Sequence, residues 1–263
     1  MLEILYLTTG VIAGLLAGLL GVGGGIIIVP ILNILLAEHF SSVVSMHVAV
    51  GSSLAIMVFT ALSSSYAYYR RDLIIWPLFY QSAPGLILGV TTGSFIAMYL
   101  SSRSLLIAFS IFILFVALDM LLSREVKAQR DLPGLLSFNC LAFVIGIFSG
   151  FFGIGGGVLM VPLLVYCNVE MHKATGTSAL CGLSIAAAGA ICFILTGSHV
   201  TGSIQLPYGT TGYIYWPAVI PIALTSVLFA PIGTRLAVWL PAQSLKRIFG
   251  VILILTSALL LLK

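Results

Sequence analysis

Charge is scarce in this chain: only 7% of its 263 residues are Asp, Glu, Lys or Arg, against 60% hydrophobic, and the mean hydropathy is +1.22. A soluble domain carries roughly 25% charge, so there are too few charged side chains here to cover a globular surface. The shortage excludes a cytosolic enzyme, a nucleic-acid binder and a disordered protein. Cysteine is scarce too. Cys140, Cys167, Cys181 and Cys192 fall in or beside apolar runs, with no C-x-x-C and no metal-ligand spacing. They read as small buried hydrophobes, and no metal site is expected. The start, Met1, Leu2 and Glu3, lacks the basic region and cleavage site of a secretory signal. No nucleophile–base pair and no cofactor motif is present, so neither an enzyme nor a bound cofactor is expected. What remains is an all-α integral membrane protein.

A helical span needs about 20 apolar residues to cross about 30 Å of hydrocarbon. The first apolar block, residues 4–36, is too long for one span and is interrupted by GVGGG at 21–25. Each glycine weakens a helix by roughly 1 kcal/mol relative to alanine. Two pieces are therefore expected, about 4–20 and 26–37, the second too short to cross comfortably. Further apolar blocks cover about 42–69, 73–100 and 105–122. The charged run SREVKAQRD at 123–131, closed by Pro133 and Gly134, reads as a solvated linker.

The pattern then starts again. GLLGVGGGIIIVP at 18–30 returns as GFFGIGGGVLMVP at 150–162. Met46-His47 and Gly51-Ser52-Ser53 return as Met171-His172 and Gly176-Thr177-Ser178. Trp76-Pro77 and Ser104-Leu105 return as Trp216-Pro217 and Ser244-Leu245. The offset grows from 132 and 125 to 140, which places extra residues in a Gly/Ser/Thr-rich loop between Thr196 and Tyr213. The organisation expected is a first membrane repeat at 1–122, a cytoplasmic linker at 123–134 and a second membrane repeat at 135–263.

The net charge of +4, from 11 Lys and Arg against 7 Asp and Glu, reports orientation, because cytoplasmic loops collect Lys and Arg. Suppose each broken block returns to its own side and three full spans follow. Then Arg70, Arg71, Arg124, Lys127, Arg130, Lys173, Arg235, Lys246 and Arg247 share one side, and Arg103 and Lys263 the other. A single crossing by each broken block would instead divide them almost evenly. The first arrangement fits the positive-inside bias and places both termini on the extracytoplasmic side. It makes the halves inverted-topology repeats, each a glycine-broken helix pair, re-entrant or a short hairpin, plus three transmembrane helices.

Paired, glycine-interrupted segments at matching positions of two inverted halves point to a transporter site. A break inside the bilayer frees backbone N–H groups, and the helix that resumes presents an amino end worth about half a positive charge. Two such ends would hold an oxyanion without a buried Arg or Lys. The substrate-binding candidates are Gly23, Gly24, Gly25, Gly155, Gly156 and Gly157, with the hydroxyls of Ser52, Ser53, Thr177 and Ser178. Close helix packing by the glycines, and interhelical hydrogen bonding by the hydroxyls, are the competing roles. His47, His172 and Asp119 are candidates for gating or proton coupling, and Glu38 is a further interfacial carboxylate. Gly10/Gly14/Gly18, Gly85/Gly89/Gly93 and Gly146/Gly150 have the spacing that permits close helix contact, within a chain or in a homodimer. Trp76, Trp216, Trp239, Tyr66, Tyr68 and Tyr69 read as interfacial anchors.

The doubled Gly-x-Gly-Gly-Gly with its apolar run and Pro, followed by His, Gly-[Ser/Thr]-Ser and Trp-Pro, resembles the sulfite exporter TauE/SafE family of permeases over nearly the whole chain. The resemblance implies secondary transport of small sulfur-containing anions such as sulfite, thiosulfate or organosulfonates like sulfoacetate, across a bacterial inner membrane. It carries the glycine breaks onto Gly23–Gly25 and Gly155–Gly157 and the polar pairs onto Ser52-Ser53 and Thr177-Ser178. One stretch departs: Gly233-Thr234-Arg235-Leu236-Ala237 has Gly93-Ser94-Phe95-Ile96-Ala97 as its counterpart, so an arginine from each half is not available. The partners expected are a small anionic substrate and the lipid bilayer. A permease working by alternating access and a channel-like facilitator for a small anion or neutral solute both fit these residues.

Overall fold

Glycine-rich segments end helices and long apolar runs sustain them, and the computed structural model follows that rule. It describes residues 2–21, 23–36, 40, 43–122, 133–200, 207–239 and 242–261. The first group of helices is α1 (Leu2–Leu20), α2 (Gly25–Leu36), α3 (Ser45–Tyr69), α4 (Trp76–Tyr99) and α5 (Ser102–Leu122). The second is α6 (Leu135–Phe152), α7 (Gly157–Tyr166), α8 (Met171–Val200), α9 (Trp216–Trp239) and α10 (Ala242–Leu261). Seven of these, α1, α3, α4, α5, α6, α8 and α9, are long and apolar enough to cross a membrane. With 12 and 10 residues, α2 and α7 reach only about 18 and 15 Å, short of the hydrocarbon thickness. Glu38, Arg124, Lys127, Arg130 and Lys263 lie outside the described residues, as does most of the linker.

One expectation is corrected. The segment between Thr196 and Tyr213 is not simply a loop, because α8 continues through Gly197 to Val200. After residues 201–206, which lie outside the described set, comes a two-stranded antiparallel hairpin, β1 (Thr210–Thr211) and β2 (Ile214–Tyr215). Gly212, at φ +58°, turns the hairpin in the left-handed region that glycine tolerates. The Trp216 N–H donates to the Gly209 carbonyl at 3.0 Å and its indole Nε1 to Thr211 Oγ1 at 3.0 Å. These local bonds give the segment order that its composition does not announce.

The helices pair across the two halves. α1 packs on α9 and α4 on α6, α3 lies against both α8 and α9, α8 against α4, and α5 against α10. α1 and α9 run the same way: Gly10 faces Ile222 and Thr225, Gly14 faces Ser226, and Gly18 faces Ala230 and Thr234. α4 and α6 also run together, with Gly85, Gly89 and Gly93 on Asn139, Phe143 and Ile147. α3 and α8 run in opposite order, with Gly51 against Phe193 and Gly189 against Leu54. So do α5 and α10, where Ser257 Oγ donates to the Ser110 carbonyl at 2.9 Å and Gly250 meets Leu121.

The small-residue faces are thus spent on contacts inside one chain. A Cβ on Gly89 would lie 2.9 Å from Gly146 Cα, and one on Gly146 would lie 2.9 Å from Gly89 Cα. Backbone cannot retreat as a side-chain end can. Gly89→Val is therefore expected to cost more than the roughly 1–3 kcal/mol of ordinary overpacking. The measurable outcome is loss of the monodisperse species on size exclusion after mild-detergent extraction.

The arginine positions also group. Arg71 Nη1 donates to the Thr234 carbonyl at 2.8 Å, beside Arg235. The Ile75 N–H donates to Thr177 Oγ1 at 3.0 Å, which brings the start of α8, with Lys173, to that same end. Arg103 lies at the other end, where Ser102 Oγ accepts from the Met46 N–H at 3.0 Å.

Candidate functional site

The two glycine breaks meet. α1 stops at Leu20, Gly21, Gly23 and Gly24 take φ of +63°, +75° and +80°, and α2 starts at Gly25. The second break differs in detail: Gly153 caps α6 at φ +66° and Gly156 caps α7 at a helical φ of −54°. At Gly24 and Gly153 any side chain would be strained by the left-handed backbone. The lack of a side chain also serves closeness. A Cβ on Gly23, itself left-handed, would sit 2.9 Å from Met57 Cε and 3.6 Å from Gly155 Cα, and one on Gly25 would sit 2.5 Å from both the Gly153 carbonyl and Met57 Sδ.

All six candidate glycines are buried. A helix leaves its first four N–H groups without an internal partner. Among the described residues, none accepts from the N–H groups of Gly155, Gly156, Gly157 or Val158; the first donors at this end with partners are Leu159 and Met160, both bonded to the Gly156 carbonyl. These buried donors at the amino end of α7 form an electropositive spot that a small oxyanion complements.

The four candidate hydroxyls are fully buried and all reach across the halves. Ser53 Oγ donates to the Gly153 carbonyl at 3.0 Å, and Ser178 Oγ to the Gly21 carbonyl at 3.5 Å. Ser52 Oγ accepts from the Tyr215 N–H at 2.9 Å, as Thr177 Oγ1 accepts from that of Ile75. Ser53 and Ser178 therefore each brace the glycine break of the other half. Ser52 and Thr177, accepting from an N–H, keep their own hydroxyl protons for donation.

The gating candidates are dispersed. His47 is buried, its Nε2 3.1 Å from the Ala97 carbonyl and its ring 5.5 Å from Tyr213, with Nδ1 unpartnered among the described residues. His172 is only half-buried at the start of α8. Asp119 is exposed three residues before the end of α5, away from the breaks. Of the anchors, Trp76 packs with Tyr69 and Tyr80 at centroid distances of 6.1 and 6.0 Å. Tyr68 instead turns inward and donates to the Gly18 carbonyl at 2.5 Å. Sequence reasoning passed over Met57, which fills the space between Gly23 and Gly25, and the buried Thr60–Ser226 pair at 2.6 Å. Comparing α3 with α8 position by position, beyond the shared motif, would have drawn attention to Thr60.

Seven apolar membrane-length helices around two short interrupted ones define a multi-pass membrane protein of the class to which permeases belong. The chain belongs to the sulfite exporter TauE/SafE family, whose model matches residues 6–260. It is 34% identical, over 99% of its length and 98% of the relative's, to a "Probable membrane transporter protein" of Haemophilus influenzae. It is 28% identical to "Probable membrane transporter protein YunE" of Bacillus subtilis, over 96% and 94% of the two chains. A "Probable membrane transporter protein" of Methanocaldococcus jannaschii is 26% identical over 87% of this chain and 81% of its own. No solved structure matches. The protein is accordingly a multi-pass transport protein of the cell membrane, not an enzyme, and its general activity is that of a permease for small anions.

Proposed function

We propose that this chain is a secondary transporter that moves small sulfur-containing anions, sulfite or organosulfonates such as sulfoacetate, by alternating access. The anion is held between the amino ends of α2 and α7 at the two glycine breaks. The observation that carries the reading is the set of buried N–H groups at Gly155–Val158, without an acceptor among the described residues, lying against the opposing break. Two helix ends, each worth about half a positive charge, offset the anion's desolvation without a buried cation. The donated protons of Ser52 and Thr177 add two polar contacts. The name of the family, sulfite exporter, supports a sulfur oxyanion over a halide.

In this reading residues 1–122 and 135–263 are inverted-topology repeats, with both termini outside and Arg70, Arg71, Lys173 and Arg235 on the cytoplasmic face. Support comes from the reversed order of contacts between α3 and α8 and between α5 and α10. It comes also from the bond that holds Arg71 beside Arg235. His47, whose buried Nδ1 has no partner among the described residues, is the candidate among the three for proton coupling.

Proteoliposome uptake across sulfite, sulfoacetate, thiosulfate, taurine, sulfate and chloride tests the reading. Saturable uptake of a sulfur anion is expected, concentrative under a proton gradient and abolished when that gradient is dissipated. Chloride flux that only runs downhill would assign a channel instead.

A further inference from the structure

The two halves match at the glycine breaks and diverge sharply just beyond them. Along α3, Ser53, Thr60 and Ser64 fall at spacings of 7 and 4, which places them on one face of a helix of 3.6 residues per turn, and Arg71 follows two residues after the helix ends. That face meets α9. Thr60 Oγ1 and Ser226 Oγ are 2.6 Å apart, and Ser63 Oγ donates to the Val227 carbonyl at 2.8 Å. At the mouth, Tyr68 bonds Gly18 and Arg71 bonds the Thr234 carbonyl. The motif offsets of 125 and 140 give Thr60, Ser226, Ser63 and Tyr68 counterparts in the other half. Thr60 becomes Ile185, Ser226 becomes Leu86, Ser63 becomes Ala188 and Tyr68 becomes Phe193. Leu86 and Ile185 are fully buried and share one apolar cluster with Val90, while Phe193, also buried, packs beside Gly51 and Tyr213 instead. The α3–α9 seam carries hydroxyl bonds at Thr60 and Ser63, whereas the α4–α8 seam is apolar around Leu86 and Ile185, its Ser82–Cys181 contact at 3.5 Å lying one helical turn away.

We propose that the α3–α9 seam is the wettable half of the translocation route, carrying the anion between the glycine breaks and the Arg71 end, while the α4–α8 seam is a dry seal. This rests on the site placed at the glycine breaks. Separating hydroxyl pairs in the presence of water exchanges each bond for one to water, at small net change. Separating Leu86 and Ile185 exposes apolar surface with no such exchange. The protein therefore opens more readily toward the Arg71 end. Arg71, half-buried at that mouth, attracts the anion without following it inward.

The test is thiol accessibility in membrane vesicles, in a chain whose exposed Cys140 is replaced by serine. Thr60→Cys, Ser64→Cys, Ser226→Cys, Leu86→Cys and Ile185→Cys are each exposed to the anionic reagent methanethiosulfonate ethylsulfonate, in inside-out and right-side-out vesicles. The α3–α9 thiols are expected to react at least about tenfold faster than the α4–α8 pair, and only from the Arg71 face, because a thiol reacts where solvent reaches it. Sulfoacetate should slow them. In Thr60→Val/Ser226→Ala the seam loses its hydroxyls, and modification of Ser64→Cys should slow while the protein stays in the membrane. Equal rates in both seams, or no reaction at Ser226→Cys in a protein that still transports, would overturn the proposal. Normal transport by Gly156→Leu would instead overturn the site on which it rests.

Discussion

Gly156→Leu is expected to abolish anion uptake while the protein still reaches the membrane in normal amount. Gly156 has a helical φ of −54°, so a side chain there imposes no backbone strain. The atom a Cβ would meet first is Ile185 Cδ1, at 2.6 Å, the free end of a flexible side chain. A methyl can be accommodated by a rotamer change, and Gly156→Ala should keep most activity. A leucyl group must occupy the space in front of the Gly155–Val158 N–H groups or push α7 off the opposing break. Either outcome removes the donors from the anion. Loss of about 2.8 kcal/mol of binding lowers uptake efficiency roughly 100-fold. Membrane insertion is set by the hydropathy of the long spans, which leucine does not reduce. Gly24→Leu should be as inactive but is a less discriminating variant. With φ at +80° and the Ala13 carbonyl 2.9 Å from its Cβ, it burdens folding as well. Full uptake by Gly156→Leu, with membrane content matched by immunoblot, would refute a site between the breaks.

Much of this geometry could be read before any coordinates. A repeat of thirteen residues with its glycine triplet needs only self-comparison of the chain. The breaks at Gly21–Gly25 and Gly153–Gly157 fall where backbone propensity requires. The helix boundaries followed to within a few residues, because apolar runs bounded by glycine or charge leave a membrane helix little choice. What the sequence could not convey is which groups meet across the halves. Ser53 and Gly153 are 100 residues apart, and Ser178 and Gly21 are 157 apart, so no local spacing records the bond. Gly10, Gly14 and Gly18 announced a close contact but not its partner. That partner is α9 of the same chain, not a second protomer. The hairpin at Thr210–Tyr215 was hidden for a different reason. Two-residue strands carry no periodicity, and only the Gly209 and Thr211 bonds of Trp216 reveal why the chain turns there.

Removing both serine hydroxyls that brace the breaks should come second only to filling the site. In Ser53→Ala the Gly153 carbonyl loses the hydroxyl that reaches it, and in Ser178→Ala the same happens to Gly21. Leaving a buried carbonyl unsatisfied costs about 1–3 kcal/mol, and within membranes interhelical bonds average nearer 0.6 kcal/mol. Each single variant should thus lose about threefold to tenfold in uptake efficiency, a factor of ten being about 1.4 kcal/mol. The two bonds hold one pair of loops together from opposite sides, so the first loss already frees the breaks to separate. The second then costs less than it does alone, and the double variant should fall short of the product of the two singles. A double-mutant cycle on initial uptake rates measures that coupling. Independent effects would mean that the serines brace separate structures. An active Ser53→Ala/Ser178→Ala protein would mean that the breaks hold their geometry through the glycine backbones and Met57 alone. The coupled result is the one expected of two helix ends that must stay opposed to share a single anion.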